Sequence, residues 1–118
     1  MKKRTINFTI PGHLPSRSNE RGHWRKRHAL TKKQRSDARI YTHFALDGAE
    51  AVFPVTVTLT RVSPCLLDSD NVAGCFKAIR DGIADALGKD DSPRSPITWE
   101  YSQRKGNPPC AEIEIKEA

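Results

Sequence analysis

The sequence has no long hydrophobic run and few cysteines. No apolar stretch approaches the roughly 18 uninterrupted residues of a membrane-spanning helix, so we expect no membrane partner. The three cysteines (Cys65, Cys75 and Cys110) are odd in number and widely spaced. This pattern argues against a disulfide framework and predicts a reducing compartment, the cytoplasm. The basic first residues precede a stretch that is too short and too polar for an export signal.

The sequence signatures of several enzyme classes are also missing. The four histidines and three cysteines fit no zinc-binding spacing. There is no Ser-His-Asp signature, no P-loop and no Rossmann glycine pattern.

The 118 residues predict one domain over 1–118. Only 36% of them are hydrophobic, so we expect a modest core that would gain from burial against a partner subunit.

Charge is distributed unevenly along the chain. The net charge is +6, but residues 1–61 carry 13 Lys/Arg against 4 Asp/Glu, whereas residues 62–118 carry 7 against 10. Nine of the basic residues lie between Arg17 and Arg39. Such a patch attracts a phosphate backbone, although a solvated basic face or a disordered arm has the same composition. The candidate DNA-binding residues are Arg17, Arg21, Trp24, Arg25, Lys26, Arg27, Lys32 and Lys33.

Hydrophobic periodicity predicts a small α/β domain. Apolar residues alternate with polar ones over 5–10, 53–62, 97–101 and 111–115, which predicts four strands. Three- and four-residue spacing predicts helices over about 31–47 and 71–87. Thr31 is suited to cap the first helix, and Gly48 and Gly88 are suited to end the two helices. The order strand, helix, strand, helix, strand, strand indicates a mixed sheet with two main helices.

The segment Asp68-Ser69-Asp70-Asn71 lies between a predicted strand and a predicted helix. Residues two apart on an extended backbone point the same way. Two adjacent carboxylates stay ionised when a cation lies between them, and oxygen ligands favour Mg²⁺ or Mn²⁺. Asn71 adds an amide for a nearby metal-site or DNA contact. Alternatively, Asp70 or Asn71 is an N-cap, where acidic groups also suit the helix dipole.

A second acidic pair, Asp90-Asp91, follows the predicted helix end. The helix dipole opposes acidic groups there, although aspartate is also common in turns. Together with the first pair, it could hold one or two metal ions for phosphodiester cleavage. Lys77, on the polar side of the helix, either contacts the phosphate or pairs with Asp81.

These residues resemble the RusA-type Holliday junction resolvases. The resemblance covers most of the chain, and its specific part is the stretch from about Asp68 to Asp91. It rests on the motifs Asp68-Ser-Asp-Asn71, Asp81-Gly-Ile-Ala-Asp-Ala-Leu87, Asp90-Asp91 and Pro11-Gly-His-Leu-Pro-Ser-Arg-Ser-Asn-Glu20.

The resemblance implies a RusA-like fold and a function. It implies a homodimeric, Mg²⁺-dependent endodeoxyribonuclease of recombination and repair, commonly carried by phages and prophages, that cuts four-way DNA junctions. Asp68, Asp70 and Asp91 match the family's catalytic aspartates. The family's lysine lies three residues after the motif's asparagine, where this chain has Gly74, and Lys77 is the nearest lysine.

Helix length restricts how the acidic pairs can meet. A straight helix over 71–87 would be about 25 Å long, and the steps from Leu87 to Asp91 span at most about 14 Å. Asp70 and Asp91 of one chain therefore meet only if the helix breaks, for example near Gly82. We instead expect a composite site that is completed by the partner subunit across a two-fold axis.

Two classes of function remain from the sequence, and within the first a nuclease of different substrate preference would use the same site. The first is a Mg²⁺-dependent, structure-specific endonuclease that acts on branched DNA. The alternative is a non-catalytic basic nucleic-acid-binding protein whose aspartates only cap helices and form turns.

Overall fold

The helices and strands follow the predicted order. The computed structural model describes residues 4–12, 14, 24–67, 69–89 and 94–117, without the side chains of 24–27 and 69–70. Within these residues the elements are β1 (Thr5–Pro11), α1 (Trp24–Leu46), β2 (Val55–Ser63), α2 (Ser69–Cys75), α3 (Lys77–Leu87), β3 (Ile97–Lys105) and β4 (Cys110–Glu117). The predicted small α/β domain is confirmed.

The strands form one mixed sheet in the order β1-β4-β2-β3. β4 is antiparallel to both of its neighbours, and β2 and β3 are parallel. The predicted alternation holds, because Val55, Val57 and Leu59 are buried on one face while the intervening threonines are half-buried. Residues of the same inner face in β4, together with α1 and α3, complete the hydrophobic core. The opposite face carries Thr and Glu side chains.

The first helix begins earlier than the sequence predicted. α1 starts at Trp24, so Thr31 lies inside the helix and is not its cap. The early turns escaped prediction because His28 and Ala29 are exposed, and a helix without a buried stripe lacks the apolar periodicity by which helices are recognised. The helix ends as expected, with Gly48 at φ 78°. No helix of the described segments is long and apolar enough to cross a membrane.

The second predicted helix is two helices. The break lies at Phe76, with φ −96° and ψ 1°, and not near Gly82, which is an interior residue of α3. Phe76 is completely buried, and its ring centroid lies 6.2 Å from that of Tyr101 on β3. The break thus coincides with a large ring that is buried against the sheet, a contact that local spacing does not reveal. Gly88 ends α3 at φ 72°, as predicted.

The amino and carboxyl ends of the described chain meet at a buried carboxylate. Glu117, at the end of β4, accepts hydrogen bonds from the backbone N–H groups of Val52 (2.6 Å) and Arg4 (3.1 Å). The Arg4 guanidinium lies 3.3 Å from the same carboxylate. The Val52 hydrogen bond, followed by those from Arg4, lowers the pKa of Glu117. An acid on the inner face is tolerated here because its charge is hydrogen-bonded and paired.

Helices α1 and α3 cross in close contact at Gly82. A Cβ atom placed on Gly82 would lie 2.8 Å from the Ala38 Cβ and still closer to the Arg35 carbonyl oxygen. The same crossing is fixed by a two-point ion pair, since Arg35 donates to both carboxylate oxygens of Asp85 at 2.8 and 3.0 Å. Hydrogen bonding to Arg35 lowers the pKa of Asp85. Glycine is required at this position because α1 leaves no room for a side chain.

We expect Gly82→Ala to destabilise the protein, because the added methyl group collides with the α1 backbone. Overpacking of this kind costs about 1–3 kcal/mol in free energy of unfolding. Gly74→Ala is the matched control, since a Cβ there meets nothing within 4 Å and alanine gains up to about 1 kcal/mol of helix propensity. Urea denaturation followed by circular dichroism measures both variants. Equal stability of the two variants would contradict the close crossing.

Candidate functional site

The chain entering the acidic motif is fixed by a side chain of the neighbouring strand. Leu67 immediately precedes Asp68, and its backbone is bound at two points by Gln103 of β3. The Leu67 N–H donates to Gln103 Oε1 at 2.8 Å, and Gln103 Nε2 donates to the Leu67 carbonyl oxygen at 2.6 Å. The Gln103 amide thus binds both the N–H and the carbonyl group of Leu67, as the backbone of a neighbouring strand would. This contact fixes where the motif begins.

A buried arginine holds the same segment from its other end. Arg61 of β2 is only 2% exposed. Its Nε donates to the Leu14 carbonyl oxygen at 2.9 Å, and its Nη1 donates to the Cys65 carbonyl oxygen at 2.7 Å. Arg61 therefore joins the segment after β1 to the segment after β2. It connects Leu14, which precedes the basic region, to Cys65, which precedes the acidic motif.

Only part of the acidic motif belongs to the described residues. Asp68 is outside the described residues, and only the backbone of Asp70 is described, in the first turn of α2. Since α2 begins at Ser69, Asp70 and Asn71 lie inside the helix and not at its N-cap. Asn71 is half-buried. The predicted pairing of the Asp68 and Asp70 carboxylates therefore stays a prediction.

Lys77 makes one of the two contacts predicted for it. It is the first residue of α3, and its Nζ donates to the Asp81 carboxylate at 2.9 Å. Its side chain is 51% exposed. The ion pair along the helix is therefore present. Contact with a phosphate stays a prediction.

The second acidic pair follows a well-defined helix end. Asp90 and Asp91 are outside the described residues, but the preceding Lys89 donates its backbone N–H to the Ala84 carbonyl oxygen at 3.0 Å. The Lys89 Nζ lies 5.1 Å from the centroid of the Phe53 ring. Because Phe53 precedes β2, the chain approaches Asp90 near the amino ends of the parallel strands.

The approaches to the two acidic pairs therefore lie at opposite ends of the sheet. Leu67 is bound by Gln103, which is the register partner of Arg61, whereas Lys89 lies beside Phe53. From Val55, near Phe53, to Arg61 there are six residue steps, about 20 Å along the strand.

Part of the basic segment has structural contacts that the sequence did not reveal. Lys33 donates to the Asp37 carboxylate at 2.7 Å, and this hydrogen bond raises the pKa of Lys33. Lys32 is exposed on the same helix. Of the other predicted DNA-binding residues, Arg17 and Arg21 lie outside the described residues. Four more have a described backbone but no described side chain: Trp24, Arg25, Lys26 and Arg27.

The residues that could hold a metal are the four aspartates of the two motifs. Among the described residues, no group of three or more His, Cys, Asp or Glu side chains could hold a metal ion. None of the four aspartate side chains belongs to the described part of the chain. Their donor chemistry fits Mg²⁺, because carboxylate oxygens are the protein ligands that this hard cation prefers.

Sequence reasoning missed Arg61 and Gln103. Both lie at inward-facing positions, since Arg61 continues the buried series Val55, Val57, Leu59, and Gln103 continues the alternation of β3. A charged or amide residue at a position where the pattern predicts an apolar one is the signal that could have identified them.

Comparison with known proteins identifies a relative but no function. No family model matches the chain. An uncharacterized protein of Xylella fastidiosa (strain Temecula1) is 35% identical over a 97-residue alignment that covers 75% of this chain and 62% of the relative. This chain therefore spans less than two thirds of the relative's length.

Proposed function

We propose that this protein is a Mg²⁺-dependent endonuclease of the RusA type that cuts Holliday junctions or related branched DNA. It would act in DNA recombination and repair in the cytoplasm of a bacterial host, encoded by a phage or prophage. The observation that carries the proposal is that Leu67, the residue before the motif Asp68-Ser-Asp-Asn71, is bound by Gln103 toward the carboxyl ends of β2 and β3.

This position is where open α/β sheets bind ligands. β2 and β3 are parallel, and the chain leaves β2 at Ser63 and enters α2 at Ser69. The crevice outside the carboxyl ends of parallel strands is the usual ligand site of such sheets. Two carboxylates at this edge of a protein with net charge +6 support a bound divalent cation between protein and phosphate.

The proposed chemistry is hydrolysis of a backbone phosphodiester. Asp68, Asp70 and Asp91, with Asp90 beside them, would hold the cation. When bound, Mg²⁺ lowers the pKa of a coordinated water and offsets charge on the phosphate. The Lys77 ammonium, exposed at the start of α3, would leave the Asp81 carboxylate and bind the DNA phosphate instead. The basic residues of 17–33 would bind the DNA arms through phosphates, without reading sequence.

The positions of the chain before the two acidic pairs favour a site shared between two subunits. Leu67, before Asp68, is bound by Gln103 toward the carboxyl end of β3, whereas Lys89, before Asp90, lies beside Phe53 at the amino end of β2. A two-fold axis that pairs the carboxyl edge of one sheet with the amino edge of another would bring the pairs together twice. Such a homodimer would hold two metal sites, as paired cuts in a junction require.

The proposal is tested with a synthetic four-way junction and a linear duplex of the same arm sequence. We expect paired nicks in the junction with Mg²⁺, none with EDTA, and far slower cutting of the duplex. Denaturing gels measure the products, and gel shifts without metal measure binding. Binding of the junction without cleavage in Mg²⁺ or Mn²⁺ would instead identify a non-catalytic nucleic-acid-binding protein.

A further inference from the structure

We infer that Arg61 and Gln103 are positioning residues that hold Asp68 and Asp70 in their working geometry. The inference rests on the proposed nuclease function, because it concerns how that same site is kept in register. Neither residue belongs to the acidic motifs or to the basic segment. Both act through the backbone of residues 65–67.

The Gln103 contact fixes orientation as well as position. One hydrogen bond would allow Leu67 to rotate about the shared axis. Two bonds in opposite directions, at 2.8 and 2.6 Å, remove that freedom. Asp68 follows directly, so the Gln103 contact fixes the direction in which the chain enters the acidic motif.

The Arg61 contact requires a guanidinium. Its Nε and Nη1 donate in two different directions, to Leu14 and to Cys65, and the rigid planar fork of arginine supplies both donors at once. An ammonium is a point charge on a flexible stem, without this fixed fork. Burying the charge costs free energy unless it is hydrogen-bonded, and the two backbone carbonyls provide that compensation.

The two side chains form one unit on a rigid support. Arg61 and Gln103 are register partners in the parallel pair β2 and β3. They therefore lie side by side on the inner face of the sheet, and they hold Cys65 and Leu67 at the two ends of a three-residue segment. A site supported from strands keeps its geometry better than a site carried by a free loop.

The first test replaces Gln103 with methionine, which keeps the length of the side chain and removes both hydrogen bonds. We expect the single-turnover rate of junction cleavage to fall about 10- to 100-fold, as for partners that orient metal ligands. The Mg²⁺ concentration for half-maximal rate should rise, while junction affinity without metal stays within about twofold. Hydrogen exchange at the Leu67 amide should accelerate.

Ser102→Ala, at an exposed position of the same strand, is the control. It should leave the cleavage rate, the Mg²⁺ dependence, the junction affinity and the hydrogen exchange of Leu67 unchanged.

The second test is Arg61→Lys, which keeps the buried charge and loses the fork. Because Arg61 also holds Leu14, three residues before Arg17, the first residue of the basic region, we expect this variant to weaken junction binding several-fold in addition to slowing cleavage. Gln103→Met should slow cleavage alone. Thermal unfolding identifies any variant that fails to fold, and the other variant then still tests the inference.

Distinct outcomes separate the inference from the function on which it rests. If wild type cleaves and Gln103→Met cleaves equally fast with the same Mg²⁺ dependence, the positioning role is wrong and the nuclease stands. If wild type does not cleave, the proposed function is wrong, and the positioning role falls with it. Loss of cleavage with a normal Mg²⁺ dependence and a protected Leu67 amide would also overturn the inference.

Discussion

Asp70→Asn should slow Mg²⁺-dependent cleavage of a four-way junction at least about 100-fold and leave DNA binding intact. The substitution keeps the shape of the side chain and removes one anionic oxygen ligand from the proposed cation site. Losing one group that stabilises transition-state charge slows a reaction about 100- to 1,000-fold. Binding should be equal or tighter, because one negative charge near the phosphates is gone. Single-turnover rates and gel shifts measure the two effects separately.

Asp47→Asn is the matched control for this variant. It makes the same chemical change and the same change in net charge at an exposed residue. Asp47 has φ 51°, a left-handed conformation that asparagine also adopts, so the fold should not change. Its cleavage rate should equal that of wild type. Cleavage by Asp70→Asn within a few-fold of wild type would exclude Asp70 as a metal ligand.

A mixture of two inactive variants should recover activity if the site is shared between subunits. Asp70→Asn damages one half of a composite site and Asp91→Asn damages the other half. In a heterodimer of the two, one site combines both damaged halves and the other combines both intact halves. Random pairing then leaves about a quarter of all sites intact. We expect each variant alone to be inactive and the equimolar mixture to nick junctions at about a quarter of the wild-type rate.

The matched control mixes Asp68→Asn with Asp70→Asn. Both substitutions lie in the same half of the composite site, so every site in the heterodimer is damaged and no recovery is expected. Differently tagged subunits that purify together establish that heterodimers form. Heterodimers without recovered nicking in the Asp70→Asn and Asp91→Asn mixture would mean that each chain builds its own site.

The sequence predicted the strands well because one side of each is buried. The residues of 55–59 alternate between core and surface, and this alternation is visible in the sequence itself. The break at Phe76 could not be predicted in the same way. Both α2 and α3 contribute apolar residues to one stripe, and the position of the break is associated with where the Phe76 ring packs against β3.

Around the acidic motifs, too, some features could be predicted from the sequence and others could not. The sequence predicted Asp68-Ser-Asp-Asn71 between a strand and a helix because the two patterns meet there, but α2 begins at Ser69 and includes most of the motif. It also predicted the ion pair of Lys77 with Asp81 as one of two possible contacts, because residues four apart lie on the same face of a helix. It gave no sign that Gln103 binds Leu67, 36 residues away, because that contact depends on the register of β3 beside β2.

Local order along this chain is determined by the sequence: which segments alternate, where glycines end helices, and where acidic and basic residues concentrate. These features depend on neighbours a few residues apart, and so they can be recognised from spacing. The tertiary structure alone decided that β3 lies parallel to β2, that Arg61 and Gln103 lie side by side, and that α1 leaves no space at Gly82. Each of these contacts joins residues distant in the chain, and packing of the common core selects them.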